Sequence, residues 1–175
     1  MLKPQELKLF VRLDLFCRIL WVLFPITLCY GLYWVFEFGY FTETGDECSA
    51  HPIKEFSLPG KVLASIYLGI NIVLYALLLA FIHHLIRKFR QGEMFVESTL
   101  EIMKSIAFVL MAWPFIEITL YNLVAYSLNK IGDLKDWDPS FYLELVLLAL
   151  GGVILALRLV IAYAIKLHKD AEMTV

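Results

Sequence analysis

The most informative part of the sequence is an apolar run followed directly by a basic segment: VLASIYLGINIVLYALLLAFIHHLI (62–86) and RKFRQGEMF (87–95). Residues 62–86 contain no Asp, Glu, Lys or Arg. A helix of this length, at about 1.5 Å per residue, crosses a hydrocarbon core of about 30 Å with some tilt. The cations Arg87, Lys88 and Arg90 follow at once. An apolar run that ends in a basic cluster predicts a membrane-spanning helix whose basic end lies in the cytoplasm.

The whole chain has the composition of an integral membrane protein. Of its 175 residues, 61% are hydrophobic and 18% are charged, and the mean hydropathy is +0.74. A water-soluble chain of this length could not cover so much apolar surface with polar side chains. The net charge of -2 is too small to indicate a nucleic-acid partner.

Three further apolar runs predict an all-α fold, an integral membrane bundle of four transmembrane helices in a single domain over residues 1–175. A short amphipathic segment at the membrane surface is expected to precede the first span. A Ser98-x-x-Glu101 capping box predicts the start of the third helix. The predicted spans are 19–36, 62–86, 102–128 and 141–165; the outer loops are 37–61 and 129–140; the cytoplasmic turn is 87–101; and a polar tail covers 166–175.

The distribution of Lys and Arg predicts the orientation. The amino-terminal segment, the central turn with its flank, and the tail carry ten of these cations, whereas the two remaining loops carry four. Positively charged flanks are retained in the cytoplasm. Both termini and the central turn are therefore expected in the cytoplasm, with the two acidic loops outside.

The central turn also carries a family resemblance. The segment LIRKFRQGEMF (85–95) resembles the turn before helix three in a bacterial family of small four-helix membrane proteins, domain of unknown function 2975. The tail KLHKDAEMTV (166–175) is similar to the acidic ending of that family. The resemblance implies a multi-pass protein of the bacterial inner membrane, and it implies no reaction. By analogy with such families, it suggests a small cytoplasmic regulator as a partner.

Polar residues inside the spans are candidates for function, because an ionised group near the bilayer centre costs about 2.5–3.5 kcal/mol. Asn71 and Glu117 fall at similar predicted depths and could form one polar layer with Tyr121. Either Glu117 titrates in a proton or ion site, or a protonated Glu117 holds two helices together by hydrogen bonding. Both interpretations stay open.

Arg158 is the second charge to explain. It lies about 12 Å from the inner end of its span, whereas Glu117 lies about 21 Å from the same side. We therefore expect Arg158 to snorkel to the cytoplasmic interface, or to share an inner layer with Asp14 and Arg18, rather than to pair with Glu117.

The turn itself offers a second set of candidates, Arg87, Lys88, Arg90, Gly92 and Phe95. Each basic residue next to an anionic leaflet is worth about 1 kcal/mol, so membrane lipids are expected contacts of the cations. Gly92 breaks the helix. The apolar Phe95 after it predicts either a hairpin packed on the bundle or a docking knob for a protein.

The fourth span carries small residues at helical spacing, namely Ala149, Gly152 and Ala156. Such a face lets another helix approach closely. We expect it to pack inside the bundle, with homodimerisation as the alternative.

No metal, cofactor or enzymatic activity is expected. His83 and His84 are adjacent and so point about 100° apart on a helix, and the three cysteines have no metal-ligand spacing. No nucleophile with a matching base stands out. The sequence therefore favours a non-enzymatic regulatory or accessory subunit that binds a protein partner. The alternatives are a small oligomeric transporter or channel component that uses the Asn71 and Glu117 layer, and an immunity protein against a membrane-acting toxin.

Overall fold

A computed structural model of the protein describes residues 4–42, 50–93, 96–135, 139 and 143–173. Four long helices account for most of these residues, and a short two-stranded hairpin lies between the first two helices. The elements, in chain order, are α1 (Pro4–Phe38), β1 (Tyr40–Thr42), β2 (Ala50–Pro52), a 3-10 turn (Ile53–Glu55), α2 (Leu58–Arg90), α3 (Glu97–Ile131) and α4 (Leu145–Met173).

Helix α1 begins earlier than the first predicted span. It runs without interruption from Pro4 to Phe38, through Pro25. The amphipathic segment before residue 19 is therefore part of the same helix. Apolar residues recur at helical spacing in this segment, namely Leu7, Phe10, Val11 and Leu15. Pro4 stands at the start of the helix, where its missing amide hydrogen costs nothing.

Helices α2 and α3 each end where a glycine adopts a left-handed conformation. Gly92 has φ +80° and Gly132 has φ +90°. After α2, the amide of Glu93 donates to the carbonyl of Lys88 at 3.1 Å; after α3, the amide of Asp133 donates to the carbonyl of Leu128 at 3.0 Å. These are Schellman terminations, which favour glycine because a Cβ would be strained there.

Two segments outside the predicted spans contain regular structure. Within the predicted loop 37–61, strands β1 and β2 form an antiparallel ladder in which Phe41 pairs with His51. The predicted polar tail is helical as far as Met173, since α4 contains no glycine or proline after Gly152 to stop it. The capping box is also displaced, because α3 begins at Glu97 and Ser98 therefore lies inside its first turn.

Four helices in the described residues are long and apolar enough to cross a membrane: Lys8–Glu37, Leu58–Arg90, Glu97–Ile131 and Leu145–Leu167. Their outer faces carry large apolar side chains, for example Val22 at 71% exposure and Val146 at 72%. Exposed apolar surface on this scale suits hydrocarbon rather than water. The chain is therefore a candidate multi-pass membrane protein.

The chain divides into two compact units, Met1–Trp21 with Tyr75–Pro114 and Glu144–Val175, and Val22–Leu74 with Phe115–Leu143. The first unit contains the turn after α2 and the whole of α4. The second contains the hairpin, and its core is an apolar cluster in which Ile53 and Phe56 pack with residues of α2 and α3. The buried members of that core are Ile53, Phe56, Ala64, Val124, Ala125, Leu128 and Leu134.

Candidate functional site

The most buried charged group described is the carboxylate of Asp14 in α1, at 2% exposure. Arg90 at the end of α2 donates to it at 2.5 Å, His83 lies 3.2 Å away, and Arg18 lies 3.2 Å away one turn along α1. We call these four residues the Asp14 cluster. A buried carboxylate needs several partners to offset its lost hydration, and here two helices supply them.

The helical spacing places these side chains together. Phe10, Asp14 and Cys17 follow one another at i, i+4 and i+7 on one face of α1, and the thiol of Cys17 is buried beside the carboxylate. On the facing helix, Phe89 meets Phe10 in an edge-to-face contact with ring centroids 5.6 Å apart. The cluster was not predicted as a unit. The feature of the sequence that indicated this cluster is the lone carboxylate of Asp14 on the apolar face of α1.

The turn between α2 and α3 is held through Glu93. Its amide donates to Lys88, its carboxylate lies 2.5 Å from the Lys88 ammonium, and its carbonyl accepts from the Thr99 hydroxyl at 2.6 Å. Thr99 is fully buried. Gln91 and Gly92, by contrast, are exposed. The predicted candidates Phe95 and its neighbour Met94 lie outside the described residues.

The three cations predicted to act together are therefore separated by the structure. Arg90 belongs to the Asp14 cluster and Lys88 to the Glu93 contact. The side chain of Arg87 is exposed and makes no hydrogen bond or ion pair with any described residue. Successive helical positions are rotated by about 100°, so neighbours in sequence meet different surroundings.

Arg87 lines a cavity of about 220 Å³. The remaining lining residues are Ala80, His83 and His84 of α2 and Trp21 of α1. The Nε2 of His83 is already engaged by Asp14, so the cavity adjoins the Asp14 cluster. Its chemistry is that of a small cationic pocket with one aromatic wall.

The predicted polar layer is present in part. The Tyr67 hydroxyl donates to Glu117 at 3.5 Å, the limit for a hydrogen bond, and the Tyr67 and Tyr121 rings meet edge-to-face at 6.2 Å. Asn71 donates at 3.1 Å to the carbonyl of Tyr67 in its own helix. Tyr67 thus links the three predicted residues, and sequence analysis had missed it because a tyrosine in a span is also typical of ordinary packing.

Arg158 reaches the first turns of α3. Its Nε donates to the carbonyl of Leu100 at 3.1 Å and its terminal nitrogen to the Glu101 carboxylate at 3.4 Å. Lys104 lies 3.9 Å from the same carboxylate. The Glu101 carboxylate, which was predicted to cap the start of α3, therefore contacts Arg158 and Lys104 instead.

The small-residue face predicted on α4 is exposed in the single chain and does not pack inside the bundle, while homodimerisation through it stays a prediction. Ala149, Gly152 and Ala156 are exposed, and a Cβ built on Gly152 would meet nothing within 4 Å. Gly151 is the buried glycine, and a Cβ there would lie 2.5 Å from Cγ of Met111 and 3.0 Å from the carbonyl oxygen of Ala107. The helix is rotated by about one residue, or 100°, from the predicted orientation.

Among the described residues, no group of three or more His, Cys, Asp or Glu side chains is placed to hold a metal ion. The polar clusters instead pair each carboxylate with cations or hydroxyls. Their chemistry is ion pairing and hydrogen bonding between helices.

Comparison with curated proteins and with solved structures finds no match. Comparison with protein families does. Residues 19–175 match the family described as protein of unknown function (DUF2975), which covers all four helices except the beginning of α1. The chain therefore belongs to the DUF2975 family.

Proposed function

We propose that the protein is a non-enzymatic accessory subunit of a bacterial inner membrane, and that it binds a protein partner through the exposed part of the turn between α2 and α3. The observation that carries this proposal is the fixation of Glu93 through its amide, carbonyl and carboxylate. The exposed neighbours Gln91, Gly92 and Val96 are thereby presented on a preformed surface.

A preformed turn favours binding because less conformational entropy is lost when the partner docks. Val96, at 43% exposure, adds an apolar contact beside the polar Gln91. The excess of Lys and Arg on this side of the spans supports a cytoplasmic location and hence a cytoplasmic partner, or the cytoplasmic part of a membrane protein.

Site-specific photocrosslinking in the native membrane tests the proposal. A photoreactive amino acid replaces Gln91 in one variant and the exposed Arg12 of α1 in a matched control. We expect a discrete crosslinked protein from position 91 that position 12 does not give, and that Val96→Asp weakens severalfold. Identical products from both positions, or a crosslink only to a second copy of the chain, would contradict an accessory role for the turn.

A second candidate, a component of an oligomeric transporter or channel, is favoured by one observation. Glu117 is half-buried within a candidate span beside the hydroxyl of Tyr67. Glu117→Gln keeps an oxygen acceptor for that hydroxyl but removes the titratable proton. Proton or cation flux into liposomes that contain the purified protein, abolished by this substitution while folding is retained, would support transport. Absence of flux in the unmodified protein would count against it.

A further inference from the structure

The cavity beside the Asp14 cluster combines features that point to a ligand. Of the three basic residues at the end of α2, two are neutralised by carboxylates of the chain, Lys88 by Glu93 and Arg90 by Asp14. Arg87 lines the cavity, and its side chain has no partner among the described residues. Its guanidinium is exposed at the cavity and can therefore bind an anion.

The polar lining can hold a phosphate group. A guanidinium presents two parallel N–H donors that match two phosphate oxygens. His84 lies one turn before Arg87 on the same face of α2, and its imidazole makes no hydrogen bond with any described residue. It can add a third donor. His83 cannot rotate freely into the cavity, because Asp14 holds its Nε2 at 3.2 Å.

The size of the cavity restricts the ligand. A volume of about 220 Å³ is smaller than the roughly 300–1,000 Å³ typical of pockets that enclose small molecules. It has room for a phosphate and a few attached atoms. Ala80 lines the cavity one turn before His84 on the same face, and its small side chain leaves this space open.

The position of the cavity favours a membrane lipid as the source of the phosphate. Arg87 is the first charged residue of α2 after a run from 62 to 86 that has none. Trp21 forms a wall, and tryptophan favours the interface between hydrocarbon and water. Leu77, one turn before Ala80 towards the middle of α2, is exposed and apolar. A headgroup at Arg87 would leave its acyl chains beside that surface.

We infer that the cavity formed by Trp21, Ala80, His83, His84 and Arg87 binds the phosphate of an anionic phospholipid headgroup. The site is separate from the exposed turn residues that would bind a protein, so it stands whether or not that function does. Basic residues are attracted in general to an anionic leaflet. The proposed site adds one defined binding position for a lipid headgroup, at Arg87.

The test uses the full chain, purified in an uncharged detergent, and native mass spectrometry. The probes are phosphatidylglycerol, phosphatidylcholine as the zwitterionic comparison, and inorganic phosphate as a competitor. Arg87→Gln removes the charge, and Ala80→Leu fills the cavity without changing any charge. Arg12→Gln removes an exposed cation of α1 that does not line the cavity, and serves as the matched control.

We expect the unmodified protein and Arg12→Gln to retain one phosphatidylglycerol at a concentration at least fivefold lower than either cavity variant requires. Phosphatidylcholine should show no such difference. If millimolar inorganic phosphate displaces the lipid, the site recognises the phosphate itself; if it does not, the acyl chains contribute to binding. Both results support the site. Equal retention of phosphatidylglycerol by the unmodified protein and Ala80→Leu would overturn it, as would an equal loss in Arg12→Gln and Arg87→Gln.

Discussion

Arg90, the last residue of α2, donates a hydrogen bond of 2.5 Å to Asp14 of α1, and the carboxylate that accepts it is almost fully buried. The contact joins residues 76 positions apart in sequence. It ties the beginning of the first helix to the end of the second, next to the turn. The basic turn therefore has a structural task in addition to any contact with lipid or protein.

Removing the Asp14 carboxylate should destabilise the folded protein. Asp14→Ala leaves Arg90 and Arg18 without their anion, and we expect the free energy of unfolding to fall by about 2–4 kcal/mol. The loss should be below the upper end for buried pairs, because the Arg90 side chain is 39% exposed and partly hydrated. Denaturation of the purified protein in mixed micelles, followed by circular dichroism, measures it. Arg12→Ala on the same helix is the control, and equal stability of the two variants would show that the cluster contributes nothing.

Two adjacent glycines of α4 should respond in opposite directions. Gly151→Ala places a methyl group against Met111 and the backbone of Ala107, and we expect a loss of about 1–2 kcal/mol. Gly152→Ala meets open space and removes backbone freedom from the unfolded chain, so it should be neutral or stabilising by up to about 1 kcal/mol. Thermal unfolding of both variants in the same detergent decides the matter. Equal effects would mean that α4 is rotated differently from the orientation described.

The turn after α2 should tolerate asparagine better than alanine. Gly92 has φ +80°, where a Cβ is strained, and asparagine adopts this conformation more readily than other residues. We expect Gly92→Ala to cost about 1 kcal/mol and Gly92→Asn less. Hydrogen exchange of the amides of Gln91 and Glu93 reports on the turn directly. A Gly69→Ala variant, at a helical glycine with nothing within 4 Å, controls for a general effect of adding a methyl group.

The start of α2 depends on Asp133, which follows α3. The Ser57 amide and hydroxyl donate to this carboxylate at 3.0 and 2.7 Å. We expect Asp133→Ala to cost about 1–2 kcal/mol, because it removes two hydrogen bonds to a charged acceptor at a helix start.

Gly60 offers a second measurement of the same contact. A Cβ on this residue would fall within 1.9 Å of the Asp133 carboxylate, so Gly60→Ala should be harmful in the unmodified chain and less harmful when Asp133 is already alanine. A double-mutant cycle measures this coupling. Additive effects of the two substitutions would contradict the contact.

Several features of the fold were predictable because they depend on composition or on local sequence. The four apolar helices follow from hydrophobic runs, and the end of α2 follows from Gly92 after a basic segment. The helical conformation of the tail was also predictable, since residues 166–173 contain no glycine or proline, although the sequence analysis described this segment only as polar. The Lys88 and Glu93 contact is likewise local, because the Schellman termination returns the chain to the last turn of α2.

The Asp14 cluster was less accessible to sequence analysis. A carboxylate in an amphipathic segment is usually solvated, and only the arrival of His83 and Arg90 from α2 makes its burial favourable. Sequence analysis was likewise unable to decide which of Gly151 and Gly152 packs against α3. Small residues in adjacent positions are equivalent in composition, and the rotation of α4 against α3 decides which of them packs.

The class of the protein and its four membrane-spanning candidates can be read from the amino-acid sequence alone, because crossing a bilayer depends on the average polarity of about 20 consecutive residues. The family follows from the sequence match over residues 19–175. Tertiary structure decided the partner of each polar side chain. Arg87, Lys88 and Arg90 are nearly adjacent in the chain, yet one lines a cavity, one pairs with Glu93 and one neutralises Asp14. The physical reason is the rotation of about 100° per helical residue, which sends neighbouring side chains toward different helices.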